Sequence, residues 1–229
     1  MPVNDISPTL GWDDVYIVTT RDGSNTLYSR KYDALYHSAF GAVAESKHVF
    51  IQYGLNTQHN RASISVLEFG FGTGLNAFLA YLFSIQHNKE VFYTGIEAHP
   101  ISEQVASRLE FPEYLGVTEE KEIFQRMHCR SRMEAEKFHF QIIPSIMALE
   151  AHMAFDCIFF DAFAPGAQPD LWAQPMFDLL FRVTSIGGCI VTYCAQGEAR
   201  RRMEAAGFNV ERISGPPGKR EMLRGNKPQ

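Results

Sequence analysis

No stretch of this sequence stays apolar for the roughly 20 residues that a membrane-spanning helix needs. Its start, MPVNDISPTLGWDD, has no basic cluster followed by an apolar core, so it does not read as a secretory signal. Cysteine is scarce: four in 229 residues, at positions 129, 157, 189 and 194, with no C-x-x-C pair. That argues against a disulfide framework or a thiolate metal site, and three of the four sit in apolar surroundings that suit buried, reduced thiols. The cytoplasm is the expected address. His48, His87, His99, His128, His139 and His152 show no ligand spacing such as H-x-x-x-H, so no metal is expected. Positive charge is not in excess either. Lys and Arg number 21 against 26 Asp and Glu, a net charge of −5, which argues against a generally basic nucleic-acid binder. Repeats and low-complexity linkers are lacking as well.

What is present is an ordinary globular composition, 45% apolar and 21% charged, enough for one large domain or one domain with an added lobe. The charge is unevenly spread. From Glu198 onward, Arg200, Arg201, Arg202, Arg212, Lys219, Arg220, Arg224 and Lys227 face only Glu198, Glu204, Glu211 and Glu221. This locally positive tract is either a solvated helix face with a frayed end or a rim that contacts phosphates.

Residues 1–60 read as a small N-terminal lobe. Two strands, 14–20 and 26–29, flank the turn RDGSN, a short helix covers 38–47, and 49–51 continue extended. Over 61–229 strands and helices alternate. Strands are expected at 66–69, 91–97, 138–143, 155–160, 188–193, 208–213 and 220–223, and helices at 75–86, 102–109, 146–152, 176–183 and 199–206. Apolar strands alternating with amphipathic helices predict an α/β, Rossmann-like fold: a mainly parallel sheet with helices on both faces. Such sheets bind ligands beyond the carboxyl ends of their strands, where strand order reverses.

Two strand ends carry the informative chemistry. The first reads VLEFGFGTGLN, residues 66–76. Glycines between a strand and a helix let backbone approach a ligand and point free amides at it. The spacing E-x-G-x-G-x-G differs from the dinucleotide pattern by placing its third glycine one residue early. It suits S-adenosylmethionine better, because the loop amides can take that ligand's carboxylate while Glu68 faces its ammonium; a pyrophosphate would be repelled by Glu68. A dinucleotide and a purely structural turn are the alternatives. Glu97, ending the next strand, stands where an acid meets ribose hydroxyls or caps the following helix. The second end reads FFDAFAPG, residues 159–166. Asp161 leaves an apolar strand straight into a stiff loop and is the candidate to meet the nucleophile, orienting N–H bonds and stabilising developing charge first and accepting a proton second.

FGFGTGLN (69–76), DAFAPGAQPDLW (161–172) and KREML (219–223), with DGSNTLYS (22–29) and YHSAFGAVAESKHVFI (36–51), together resemble the methyltransferase domain of the MnmC family of tRNA wobble-uridine modification enzymes. The resemblance spans nearly the whole chain. It implies a class I S-adenosylmethionine-dependent methyltransferase that methylates the 5-aminomethyl group of the wobble uridine, giving 5-methylaminomethyl-(2-thio)uridine. Carried over, Glu68, Gly70, Gly72, Thr73 and Gly74 match the cofactor loop, Glu97 the ribose acid and Asp161 the active-site aspartate. Where an aspartate is expected near adenine, this chain has Ser145. Phe163 and Trp172 are the candidate base-stacking aromatics, Tyr28 and Tyr36 candidate wall residues, and Arg200, Lys219 and Arg220 candidate contacts to the anticodon loop. The oxidase domain of bifunctional members has no counterpart in these residues. The chain thus reads as a stand-alone version, whose substrate would come from a separate FAD-dependent or GTPase-linked tRNA-modifying enzyme. The other readings are a methyltransferase of the same fold acting on a small amine or another RNA, a non-catalytic cofactor-binding scaffold, and a nicotinamide dehydrogenase.

Overall fold

Strands that are apolar on both faces must be covered on both faces, and this chain covers them with helices. A computed structural model describes residues 14–149 and 154–228. The chain start, His152 and the end of the helix expected over 146–152 lie outside the described residues. Strands β1 (Val15–Thr19), β2 (Asn25–Ser29) and β3 (Ala34–Leu35) form a small antiparallel sheet. The large sheet has β4 (Ser63–Phe69), β5 (Glu90–Ile96), β6 (Arg132–Ala135), β7 (Phe138–Ile143), β8 (Phe155–Phe160), β9 (Thr184–Thr192), β10 (Asn209–Ser214) and β11 (Glu221–Asn226). Their spatial order is β10-β11-β9-β8-β4-β5-β7-β6. Strands β9, β8, β4, β5 and β7 pair in parallel, and antiparallel pairings add β11 and β10 at one edge and β6 at the other. The helices are α1 (Ala42–Ser46), α2 (Leu75–Gln86), α3 (Glu103–Ala106), α4 (Phe111–Leu115), α5 (Lys121–Cys129), α6 (Gln174–Val183) and α7 (Gly197–Ala206). None among the described residues is long and apolar enough to cross a membrane.

The two-residue period of a strand sorts the core into two layers. Val66 and Phe159 point to the face covered by Phe50, Phe78 and Phe124. Their neighbours Leu67 and Phe160 point to the other face, against Trp172, Phe177 and Met203. By the same parity Glu68 and Asp161 project on the face that α2 covers. Leu27 and Val43 of the first sixty residues belong to that same cluster, so the small sheet shares its core with the large one.

Local readings differ at a few places. Residues 49–51 are not extended: α1 runs on into a wider, π-type stretch, Lys47–Gln52, because a helical course buries Val49 and Phe50. The helix expected over 102–109 is only Glu103–Ala106, capped by Ser102. That over 146–152 is a single tight turn, Ile146–Ala148. Helices α4 and α5 and strand β6 fill a region the sequence left unassigned. The chain passes from β4 to β5 on one side and later returns to β8 on the other, so strand order reverses beside β4. The carboxyl ends of β4 and β8 flank that switch point.

Candidate active site

The glycine loop is fixed by what surrounds it. Gly70 has φ 92° and Gly74 φ 73°, a left-handed region costly for other residues. A Cβ at Gly70 would lie 2.7 Å from the Asp161 carbonyl oxygen, and one at Gly74 would lie 2.7 Å from His128 Nε2. The amides of Gly70 and Phe71 donate to the Ile96 carbonyl at 3.1 and 3.2 Å, and that of Asp161 to the Phe69 carbonyl at 2.9 Å. The loop is therefore clamped to the ends of β5 and β8, while no side chain caps the start of α2.

Beneath the loop lies an acid pair. Asn76 Nδ2, on the first turn of α2, donates to Glu68 Oε1 at 2.8 Å and to Asp161 Oδ2 at 2.9 Å. Glu68 is fully buried. Burial, then the charge of Asp161, raises its pKa well above the carboxylate range against the opposing effects of Tyr93 and Asn76. Among the described residues Glu68 Oε2 and the Tyr93 hydroxyl have no hydrogen bond of good geometry, so Glu68 is best held neutral. Asp161 is pushed up to about 8 by burial and then by Glu45, with the Asn76 hydrogen bond and Lys219 opposing. An acid near pH 8 is a far better proton acceptor than an ordinary aspartate.

Above these acids opens a cavity of about 740 Å³. Asp161, Glu97 and Ser145 line it from the large sheet, and Tyr36, His37 and Glu45 from the N-terminal residues. His37 joins the two parts, with Nδ1 2.9 Å from Thr26 Oγ1 and Nε2 3.3 Å from Thr73 Oγ1; burial lowers its pKa to about 4, which keeps it neutral. Glu45 accepts from the Ser38 amide at 2.8 Å and from Lys219 Nζ at 2.6 Å. Neither His37 nor Glu45 was recognised from the sequence, since only the folded lobe brings them to the loop.

The expected site residues fall into three groups. Gly70, Gly72, Thr73, Glu97, Ser145, Asp161, Phe163 and Lys219 all line the cavity. Glu97 Oε2 accepts from the Gly72 amide at 3.0 Å and Oε1 from the His99 amide at 2.8 Å, each oxygen keeping a lone pair. Gly74 lies just below, starting α2. Glu68, expected to face the ammonium of S-adenosylmethionine, does not line the cavity: strand parity turns it under α2, and Asn76 links it to the lining residue Asp161.

In the third group Trp172 does not take up the place expected of it, and Arg200 and Arg220 lie outside the cavity lining. Trp172 is buried at 1% exposure, its Nε1 donating to the Phe163 carbonyl at 2.8 Å; it anchors the loop and cannot stack on a base. Arg200 pairs with Glu204 at 2.9 Å on α7 and Arg220 is exposed, both outside the cavity lining. The tract's charge is largely answered locally, since Arg202 also pairs with Glu198, Arg212 with Glu221 and Arg224 with Glu211. Phe163 instead meets Tyr32 and Tyr36, at centroid distances of 4.6 and 5.0 Å, forming an aromatic wall. Of the other wall candidate, Tyr28, the hydroxyl bonds Asp33.

The donor set fits S-adenosylmethionine: a loop with no room for a Cβ at Gly70 or Gly74, an uncapped helix start, an acid at the end of β5 and a cavity of ligand size. Among the described residues no group of three His, Cys, Asp or Glu side chains could hold a metal ion. The chain matches the family described as S-adenosyl-L-methionine-dependent methyltransferase over residues 113–228, just over half its length, and belongs to that family. It is a methyltransferase that uses S-adenosylmethionine. Similar curated proteins are the tRNA 5-methylaminomethyl-2-thiouridine biosynthesis bifunctional protein MnmC of Azoarcus sp. (strain BH72), 29% identical over 87% of this chain and 34% of its own, and that of Haemophilus ducreyi, 27% identical over 91% and 35%. The chain spans about a third of the length of these relatives. The crystal structure of MNMC2 from Aquifex aeolicus superposes with a TM-score of 0.78 at 24% identity, covering 97% of this chain and 74% of that one. That likeness places the fold.

Proposed function

We propose that this chain methylates the 5-aminomethyl group of the wobble uridine in tRNA, giving 5-methylaminomethyl-(2-thio)uridine, in the cytoplasm. The observation that carries this reading is Asp161, an acid pushed up to about 8 at the floor of a cavity that opens onto an aromatic wall. An aminomethyl substrate arrives as an ammonium and must shed one proton before its lone pair can attack. An ordinary carboxylate is too weak a base for that transfer; Asp161 is much better matched. The MnmC relatives act, by their names, in tRNA 5-methylaminomethyl-2-thiouridine biosynthesis, which agrees with an amine nucleophile.

When bound, S-adenosylmethionine supplies a methyl group already activated by its sulfonium, so the work left to the protein is alignment and proton handling. Gly70, Gly72, Thr73 and Gly74 would hold its amino-acid end, Glu97 its ribose and Ser145 its adenine side. Asp161 orients the substrate nitrogen and accepts its proton, and Asn76 fixes the carboxyl group that does so. The wall of Tyr32, Tyr36 and Phe163 receives the extruded base by stacking. Phosphates meet Arg21, Arg30 and Lys31, whose cationic groups lie 4.4, 4.6 and 5.1 Å from the ring centroids of Phe40, Tyr16 and Tyr32. A cation laid on a ring keeps its donors free at the edge. A separate tRNA-modifying enzyme, FAD-dependent or GTPase-linked, would supply the aminomethyl group.

The test is mass spectrometry of wobble nucleosides after incubating the protein and isotope-labelled S-adenosylmethionine with tRNA from a strain lacking this activity. The expected result is one labelled methyl on 5-aminomethyl-uridine. Labelled tRNA without label at that nucleoside, or no label in tRNA at all, contradicts the reading.

A further inference from the structure

The wall of the cavity contains an ammonium seat that the reaction outlined above does not yet use. Glu45, on α1, is 5% exposed and lines the same cavity as Asp161. One of its oxygens is fixed by the Ser38 amide; the other accepts from Lys219 Nζ at 2.6 Å. The Lys219 ammonium also lies 3.9 Å from the centre of the Tyr193 ring. A carboxylate on one side and an aromatic face on the other are what a primary ammonium binds best. This seat already holds one, supplied by the protein.

Burying an ion pair is seldom worth its desolvation for stability alone. Lys219 comes from the turn 215–220, between β10 and β11, flanked by Gly218 at φ 85° and with a side chain 31% exposed. Its side chain therefore has a route to solvent, whereas that of Glu45, on α1, is 6% exposed.

We infer that Glu45 is the counter-charge that receives the substrate's protonated amine, and that Lys219 occupies this seat until the amine displaces it. This rests on an amine substrate. No covalent change is involved: N–H bonds from the incoming ammonium to Glu45 Oε2 replace those from Lys219, and the nitrogen is then presented to Asp161. Glu45 is a positioning residue in the sense that it delivers the amine to the acid that takes its proton. The groups facing Asp161 are Glu45 from α1, Lys219 from the 215–220 turn, Glu68 from β4, Asn76 from α2 and Tyr193 from β9, with Glu97 and His37 further along the same lining. Of these, Glu45 and Lys219 bear on Asp161 in opposite directions.

The experiment compares wild type, Glu45→Gln, Glu45→Asp and Lys219→Gln in methyl transfer to tRNA, with S-adenosylhomocysteine affinity and Tm as checks on folding. Glu45→Gln is expected to raise KM at least tenfold and to move the rising limb of the kcat–pH profile to lower pH, while Glu45→Asp restores part of both. Lys219→Gln keeps a donor for Glu45 and frees the seat, so KM stays level or falls. A Glu45→Gln enzyme with wild-type KM and pH profile overturns the inference. So does a tenfold rise in KM for Lys219→Gln, which would make the lysine itself the substrate contact. If Glu45→Gln fails to fold, the Lys219→Gln result decides alone. Wild type that ignores tRNA but methylates a small primary amine, with these shifts intact, overturns the tRNA reading and keeps this one; wild type that methylates no amine overturns both.

Discussion

The floor and the rim of the cavity are built on opposite principles. At the floor, Glu68 and Asn76 are buried beneath the cavity-lining Asp161, and two acids share the amide of one asparagine. At the rim that the proposed function assigns to RNA, Arg21, Arg30 and Lys31 are exposed and lie on aromatic rings without a carboxylate partner among the described residues, Lys31 on the cavity-lining Tyr32. Burial at the floor changes proton affinity, whereas exposure at the rim keeps charges available and lets them be screened by salt. On the proposed function the floor carries the chemistry and the rim the recognition, and substitutions in the two regions should separate by what they disturb.

The largest effect is expected from Asp161→Asn. Methyl transfer should fall by about two to four orders of magnitude, the usual range for removing a positioned acid–base group, with cofactor affinity retained. Stability should move the other way. The folded-state pKa of Asp161 is raised to about 8, so its favourable contribution is complete below the unfolded value near 4 and is lost as pH rises through about 8. The variant lacks that loss. It should melt higher than wild type at pH 8.5, by at least the ~2–4 °C that about 1 kcal/mol produces in a domain of this size. At pH 4 the two should coincide. Melting curves across this range check it.

Asn76→Ala should come next. It strips both acids of their shared donor and leaves them buried without it, a loss of about 1–3 kcal/mol measurable by denaturant unfolding, with S-adenosylhomocysteine binding weakened as the loop loosens. At the rim, Arg30→Gln with Lys31→Gln should leave Tm unchanged. It should weaken binding of an anticodon stem-loop and flatten its salt dependence by about 1.4 in log–log slope, roughly 0.7 per cation lost on single strands. The smallest effect is expected from Arg200→Gln. Its charge is answered by Glu204 in an exposed pair, worth about 0.3–0.5 kcal/mol, and RNA affinity should not change.

How far the sequence foretold this comparison depends on whether a residue's position follows from local pattern. The glycine loop, the buried, mostly apolar β8 and Asp161 at its end were legible, because strand, turn and helix each follow from adjacent residues. The apolar spacing of α2 placed its ends at 75 and 86, as observed. The side of Glu68 was recoverable from strand parity and was nonetheless misjudged. Glu198 to Arg202 and Arg200 to Glu204 are four-residue spacings on a helix, a pattern that announces local pairing, so the pairing within the tract was also readable. Trp172 was not: the same PDLW turn could direct its ring outward or into the core, and packing against Phe160 and Phe177 decided it. Glu45 and His37 were illegible for a deeper reason. They come from the lobe and reach the site only when two distant parts of the chain close on each other.

The measurement closest to the centre of this account is single-turnover transfer of a labelled methyl group from S-adenosylmethionine to an anticodon stem-loop, by wild type and Asp161→Asn, with cofactor affinity determined on the same samples. The account predicts affinities within about threefold of each other and a rate at least a hundredfold lower for the variant. Equal rates at saturating cofactor would contradict it.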